Sequence, residues 1–210
     1  TAETTIYHGL DRKLGTNPIS MAAPWEDEAV VLDMTTSATA EGKVRVALQK
    51  GETIPDGWVI DHAGNPSNNP ADLYGDPDKG IPPGAILPLG GPLGFKGYGM
   101  SVMLDFVCGI LSGAGIARTD VPPGTNGVWL YLLDVEKLMP KAEYQAVVDK
   151  YVDYLKSSRK LPGIEEILLP GEIELRRQAQ RRREGIAIPD MTWQQTLEQA
   201  KRVGATLDGI

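Results

Sequence analysis

A glycine-rich run that contains one lysine, residues 90–97, is the strongest candidate for ligand binding in this sequence. It reads Gly-Gly-Pro-Leu-Gly-Phe-Lys-Gly, and apolar residues at helical spacing begin directly after it. Glycines let backbone N–H groups approach a ligand closely, and a helix N-terminus adds partial positive charge. With the Lys96 ammonium group, these features suit a phosphate or carboxylate. The spacing is not that of a Walker A loop, nor G-x-G-x-x-G after a strand, so a plain turn before a helix is the alternative.

A second candidate surrounds Asp33, which ends an apolar run and is followed by Thr35, Thr36 and Ser37. A carboxylate beside several hydroxyl groups could hold a ribose or a substrate hydroxyl. Asp, Ser and Thr are also ordinary helix caps, so the alternative is an N-cap cluster for the next predicted helix.

The remaining reactive side chains favour structural roles. His8 and His62 are isolated imidazoles with no neighbouring carboxylate or nucleophile in the sequence, and both are interpreted as structural or surface residues. Cys108 lies in an apolar run, which is typical of a core cysteine rather than a reactive thiol. With one cysteine, two histidines and no metal-binding motif, the sequence predicts no metal site.

The overall charge argues against a nucleic-acid partner. The 210 residues carry a net charge of -7, whereas phosphate backbones attract a basic face. The arginines at 176, 177 and 181–183 form a basic patch, but neighbouring glutamates favour a solvated helix face over a nucleic-acid site. No apolar run is long enough to span a membrane and no signal peptide is visible, so the sequence indicates a cytoplasmic protein.

Periodicity and punctuation predict the elements that carry these residues. Strands are predicted at residues 29–34, 57–60 and 127–135, the first buried and the last central because both of its faces are apolar. Helices are predicted at residues 38–50, 97–116, 141–157, 171–184 and 192–204. Thr192 with Gln195 is predicted to form a capping box for the last helix. The second helix is predicted to bury one apolar stripe, which consists of Met100, Met103, Leu104, Val107 and Leu111. This mixed order of elements predicts an α/β or α+β fold.

Several strings, taken together, resemble the type 2 malate/L-lactate dehydrogenase family, which includes ureidoglycolate, sulfolactate and diketogulonate oxidoreductases and cyclic-imine reductases. The matching strings lie at residues 14–19, 31–37, 42–44, 54–58, 89–91, 95–99, 169–172 and 185–186. Their order runs through almost the whole chain, and the set is specific although no single string is decisive.

The resemblance implies a non-Rossmann NAD(P)-binding fold with a large, mostly antiparallel sheet and helical layers. It implies NAD or NADP as cofactor, a 2-hydroxyacid, 2-ketoacid or related cyclic imine as substrate, and a homodimer whose active site uses both subunits. Carried over by motif, the cofactor-binding residues are Leu32, Asp33, Met34, Thr35, Thr36, Ser37, Phe95, Lys96, Gly171 and Glu172.

Family members also begin with a further N-terminal segment that carries the acid/base histidine, and no histidine here lies in that motif. We therefore expect a cofactor-binding sheet domain at residues 1–160. We expect a helical segment at residues 161–210 that packs with the missing segment, and no catalysis by the 210 residues alone. The missing segment, in the same protein or as a separate subunit, is the expected partner.

Two alternatives remain open. The chain begins at Thr1, close to where the family has an Asn-Thr or Asn-Ser pair, and an N-terminal threonine can act as a nucleophile with its own amino group as base. That hypothesis makes the protein a self-processed amide hydrolase on the same scaffold. The other alternative is a non-enzymatic scaffold that binds a partner or a small acid.

Overall fold

The computed structural model describes residues 2–118 and 126–205. The chain divides into two compact units, Thr1–Pro170 and Gly171–Ile210. Within the described residues, no helix combines the length and apolar composition that crossing a bilayer requires.

A five-stranded mixed sheet organises the first unit. Its strands, in spatial order, are β2 (Arg12–Leu14), β1 (Thr4–Thr5), β7 (Ala85–Ile86), β5 (Val59–Ile60) and β6 (Pro66–Ser67). The β1–β7 pair is parallel, whereas the other three pairs are antiparallel. The predicted mostly antiparallel sheet is therefore confirmed, and the predicted strand at 57–60 is confirmed in its second half.

A separate antiparallel hairpin joins β3 (Pro18–Trp25) to β4 (Glu28–Thr35). Its register runs from the pair Pro18–Thr35 to the pair Trp25–Glu28, so the connection is a tight turn. The strand predicted at 29–34 is confirmed inside β4. The prediction that this strand is buried is wrong: its apolar residues are half-exposed, because β3 is its strand partner and is itself largely exposed.

The core lies where helix α1 (Glu41–Lys50) packs beside the sheet. It consists of Val44, Ala47, Ile54, Val59, Leu73 and Ile86. Gly51 ends α1 in the left-handed conformation, with φ of 68°, as the sequence predicted. The helix begins at Glu41 rather than at Ala38, and its N-cap, Ala40, makes no side-chain capping hydrogen bond.

Helix α2 (Phe95–Leu104) continues as one stretch of π-helix, Asp105–Ile110. This confirms a helix after the glycine run, but the predicted buried face is wrong in part. Leu104 and Val107 are half-buried, whereas Met100 is exposed. Met103 and Leu111 are exposed, whereas Gly97, Ser101 and Gly109 are buried. The helix lies so close to neighbouring backbone that only small residues fit on that side.

The remaining part of the first unit contains helix α3 (Lys141–Lys156), which confirms the prediction at 141–157. The Lys156 ammonium lies 5.3 Å from the centre of the Trp25 ring on β3. The central strand predicted at 127–135 is wrong for this structure: residues 127–134 pair with no strand of the described chain, and their side chains are exposed.

The second unit contains α4 (Glu172–Glu184) and α5 (Asp190–Arg202). The first confirms the predicted helix at 171–184, which Gly185 ends. The predicted capping box is wrong, because α5 begins at Asp190 with Pro189 as its N-cap, so Thr192 lies inside the first turn. Arg177, Arg181 and Arg182 line a shallow surface groove of about 460 Å³ along α4.

Candidate functional site

The chain leaves β4 at Thr36, and this residue joins the two candidate segments. The Thr36 hydroxyl donates a hydrogen bond of 2.8 Å to the Asn17 carbonyl. In turn, the Leu89 N–H donates to the Thr36 carbonyl at 3.0 Å, and the Ala38 N–H donates to the Leu87 carbonyl at 2.7 Å. The end of β4 therefore runs beside the residues that lead into the glycine run.

Gly97 brings the first turn of α2 against the same place. A Cβ on Gly97 would lie 2.8 Å from the Thr36 carbonyl oxygen and 2.6 Å from the Leu89 nitrogen. These are backbone atoms that cannot move aside, so this position requires glycine for packing. The sequence pointed to Gly97 as a helix start but contained no local sign of this contact.

The glycine run itself forms a tight loop. Gly90 and Gly91 have φ of 124° and 52°, and Gly91–Leu93 forms a 3-10 turn that leads into α2 at Phe95. A Cβ on Gly91 would meet no atom within 4 Å, so the loop faces open space there. The first N–H groups of an α-helix have no partner inside the helix, and those of α2 begin directly after this loop.

The side chains at the start of α2 are accessible. Lys96 is exposed and forms no ion pair with any residue in the ranges 2–118 and 126–205. Phe95 is half-exposed and meets the Tyr7 ring edge-on, with ring centres 6.0 Å apart. An exposed ammonium group in the first turn of a helix creates a favourable position for an anion.

Asn17 holds the same face of α2 further along the helix, since Gly97, Ser101 and Asp105 follow one another at intervals of four residues. Its side-chain nitrogen donates to the Ser101 carbonyl at 2.9 Å and to the Asp105 carboxylate at 3.0 Å. Burial raises the pKa of Asp105, while the Asn17 hydrogen bond opposes the rise. Asn17 adopts φ of 38°, a region that asparagine tolerates better than most residues. No local pattern in the sequence indicates this clamp, since the three residues are brought together only by folding.

The hydroxyl groups that follow Asp33 donate hydrogen bonds to backbone carbonyls of the protein itself. Thr36 and Ser37 are buried, and the Ser37 hydroxyl donates to the Thr39 carbonyl at 2.7 Å. The Thr35 hydroxyl donates to the Ser37 carbonyl at 3.2 Å. The N-cap interpretation of this cluster is wrong, because these hydroxyls stabilise the turn rather than cap α1. Asp33 is exposed on β4, while Leu32 and Met34 are half-exposed.

A cleft of about 400 Å³ lies beside the glycine run. Gly91 and Gly94 line one part of it, and Tyr7 and His8 line another. His8 adopts φ of 62° and stacks on Tyr7, with ring centres 3.9 Å apart. His8, predicted to be a structural or surface residue, is exposed and also borders this cleft.

A cluster of ionisable groups supports the sheet. Tyr74 donates to the Glu41 carboxylate at 2.7 Å, and burial together with this bond raises the pKa of Tyr74 to about 12. Arg12 donates to the Gly84 carbonyl at 2.6 Å and to the Leu73 carbonyl. Burial lowers the pKa of Arg12 and raises that of nearby Glu3. These bonds hold loops against the sheet, which is a structural role.

The other predicted site residues belong to the second unit or fall outside the described residues. Gly171 is the N-cap of α4, with φ of 92°, and Glu172 is the first residue of that helix in the second unit. Thr1, the proposed nucleophile of the hydrolase hypothesis, lies outside the described residues. Among the described residues, no three His, Cys, Asp or Glu side chains gather as metal ligands would.

Comparison with known proteins identifies the family to which this chain belongs. A profile of the malate/L-lactate dehydrogenase family matches residues 2–196. This chain belongs to the malate/L-lactate dehydrogenase family, as the strings in the sequence suggested, and its mixed α/β fold agrees with the solved structures of that family.

Similar proteins include a malate dehydrogenase from Pyrococcus horikoshii, 37% identical over 93% of this chain and 55% of the relative. An L-sulfolactate dehydrogenase from Methanothermobacter thermautotrophicus is 33% identical over 93% of this chain and 54% of the relative. The structure resembles that of a putative malate/lactate dehydrogenase from E. coli, with a TM-score of 0.81 and 27% identity, over 99% of this chain and 57% of that one. The chain thus spans about half the length of the relatives it matches.

Proposed function

We propose that this chain supplies the cofactor-binding part of an NAD(P)-dependent oxidoreductase. Its substrate is a 2-hydroxyacid, the corresponding 2-ketoacid, or a related cyclic imine. The single observation that carries the proposal is the junction of the Thr36 turn with the glycine run. This junction sets the first turn of α2, which contains the exposed Lys96, beside the end of β4. Family membership supports the reaction class.

The residues present fit a dinucleotide. A pyrophosphate needs close backbone approach and positive charge, and the open side of Gly91 and the free Lys96 ammonium provide both. A ribose needs a hydrogen-bond acceptor for its hydroxyl groups, and the Asp33 carboxylate is exposed. Binding the pyrophosphate and the ribose in this way leaves the buried hydroxyl groups of Thr36 and Ser37 in their existing hydrogen bonds.

Each residue then has a defined task. Lys96 and the first N–H groups of α2 bind phosphate, and Asp33 accepts hydrogen bonds from a ribose. Leu32, Met34 and Phe95 offer apolar contacts to the cofactor. The buried hydroxyls of Thr36 and Ser37 keep the turn in place, and Thr35 supports it from the strand end. Gly171 and Glu172 are assigned to the cofactor by the family resemblance.

When bound, the nicotinamide cofactor supplies or accepts the hydride in the reaction. The described residues bind and orient this group. The proton that accompanies hydride transfer requires an acid/base residue. We assign this residue to the part of the full-length family protein that this chain does not span. The working enzyme is therefore this chain together with that part, and we expect the complete unit to form a homodimer.

The test is a fluorescence titration of NADH and NADPH into the assembled protein, followed by turnover with malate, L-lactate and sulfolactate as substrates. We expect saturable binding of at least one cofactor and oxidation of at least one hydroxyacid. The absence of binding at about 1 mM cofactor, the upper end of ordinary Michaelis constants, would overturn the proposal.

The hydrolase hypothesis gains no support. The relatives named above are dehydrogenases, and no described residue supplies an observation in favour of amide hydrolysis. It is not carried further.

A further inference from the structure

Six consecutive apolar residues, Val128 to Leu133, form an exposed segment that the described fold does not use. Their exposed fractions lie between 51% and 89%. The largest apolar patch on an ordinary monomer covers about 300–600 Å², and larger patches mark interaction sites. Six large side chains at these exposures reach the scale of one side of a standard interface, about 800 Å².

The segment belongs to no strand of the described residues, but two of its aromatic rings are arranged as they would be along an extended chain. Trp129 and Tyr131 stack almost in parallel, at 6° and with ring centres 6.0 Å apart. Residues two positions apart lie on the same side of an extended chain, so this stacking indicates extended backbone. Both faces of the segment are apolar, which is typical of a strand covered on both sides.

The segment also lacks the features that protect an edge strand from unwanted pairing. Edge strands that face water usually carry lysine, proline or inward-pointing charge. Residues 127–133 contain no charged residue and no proline. At its start, Gly127 lies against the π-helical stretch, because a Cβ there would collide with the backbone carbonyl of Cys108. The segment is thus anchored at one end, and its backbone pairs with no strand among the described residues.

We propose that residues 127–134 pair, as an added strand, with a strand from the part of the full-length family protein that this chain does not span. This inference rests on the proposed function, in which the working enzyme includes that part. Pairing would supply hydrogen-bond partners for the backbone N–H and C=O groups of residues 128–133, which pair with no described strand, and would cover the apolar side chains.

The lengths of the relatives favour such a strand as the partner of residues 127–134. The E. coli structure matches 99% of this chain at a TM-score of 0.81, yet this chain spans only 57% of it. The same fold therefore continues into further residues in that relative. A strand from those residues explains why a segment of this composition has no partner among the described residues here.

The test is hydrogen–deuterium exchange on the assembled protein purified from the cells that produce it, with mass spectrometry to identify every polypeptide present. We expect amides 128–133 to exchange about 100-fold or more slowly than in an open chain. We also expect the sample to contain the remaining family sequence, in the same polypeptide or a separate one.

Leu130→Lys introduces a charge into the segment, and Leu161→Lys is the matched control at another exposed leucine of the first unit. Leu130→Lys should abolish the protection or the association, and Leu161→Lys should preserve both. Circular dichroism verifies that both variants keep the helices of the described fold.

Three results would overturn the inference. These are fast exchange at 128–133 in the assembled protein, protection in a sample that contains only copies of these 210 residues, and protection that survives Leu130→Lys. Cofactor titration of the same samples is a separate readout. Strand pairing without cofactor binding would refute the proposed function, whereas cofactor binding with an unprotected segment would refute only this inference.

Discussion

Thr36 and Gly97 meet through their backbones: a Cβ on Gly97 would lie 2.8 Å from the Thr36 carbonyl oxygen. This contact places the first turn of α2, and with it Lys96, beside the end of β4. The candidate site depends on it, because the contact brings together two segments that are far apart in the sequence.

The first prediction concerns this contact. Gly97→Ala forces a methyl group against fixed backbone, so it should destabilise the protein by about 1–3 kcal/mol and weaken cofactor binding. Gly99→Ala in the same helix is the control, since its Cβ would meet no atom within 4 Å. This control should stabilise the protein by up to about 1 kcal/mol. Denaturant unfolding measures both, and equal effects of the two variants would contradict the packing argument.

Lys96→Ala should weaken cofactor binding by about 10- to 100-fold, since a charged hydrogen bond contributes about 1.5–3 kcal/mol. Lys96→Arg should retain much of the affinity, and the loss should shrink at high salt as screening increases. Lys79→Ala is the control, because that lysine already pairs with Asp76 at 2.7 Å. Fluorescence titration at two salt concentrations measures the effect, and unchanged affinity would remove Lys96 from the site.

Asp105→Asn tests the clamp around Asn17. Burial raises the pKa of Asp105 in the folded protein, so the protonated carboxyl stabilises the fold at low pH. That contribution is lost as the pH rises through the folded-state pKa. Asparagine keeps an oxygen that accepts the Asn17 hydrogen bond and carries no charge. We expect a higher Tm than the wild type at pH 7, with the difference shrinking toward pH 3. A constant difference across this range would argue against a buried charge.

Tyr74 offers a spectroscopic prediction. Burial and the bond to Glu41 raise its pKa to about 12, so it should ionise after ordinary tyrosines. The raised pKa stabilises the fold below the unfolded-chain value, and this contribution disappears as the pH passes through about 12. An alkaline absorbance titration at the tyrosinate band should show a late component. Tyr74→Phe should remove that component alone, and a titration unchanged by this variant would refute the assignment.

Local patterns predicted several elements well. The apolar spacing of α3 and the glycine that ends α1 are properties of neighbouring residues, and both elements appear where expected. The buried face of α2 was predicted only in part, because helical periodicity favours large apolar residues whereas the approaching Leu89 and Thr36 backbone admits only glycine at position 97. The segment at 127–135 was also misjudged, because alternation indicates a strand but not the partner that pairs with it.

The sequence by itself determined the residue types of the candidate site and the family: a glycine run with a lysine, a carboxylate after an apolar strand, and strings in a recognisable order. These are short-range properties, encoded by spacing and composition. Only the tertiary structure decided that Thr36 meets Gly97, that Asn17 reaches Asp105, and that the Thr36 and Ser37 hydroxyls are already bonded. Such contacts join distant parts of the chain, and they depend on steric fit and hydrogen-bond geometry that no local pattern contains.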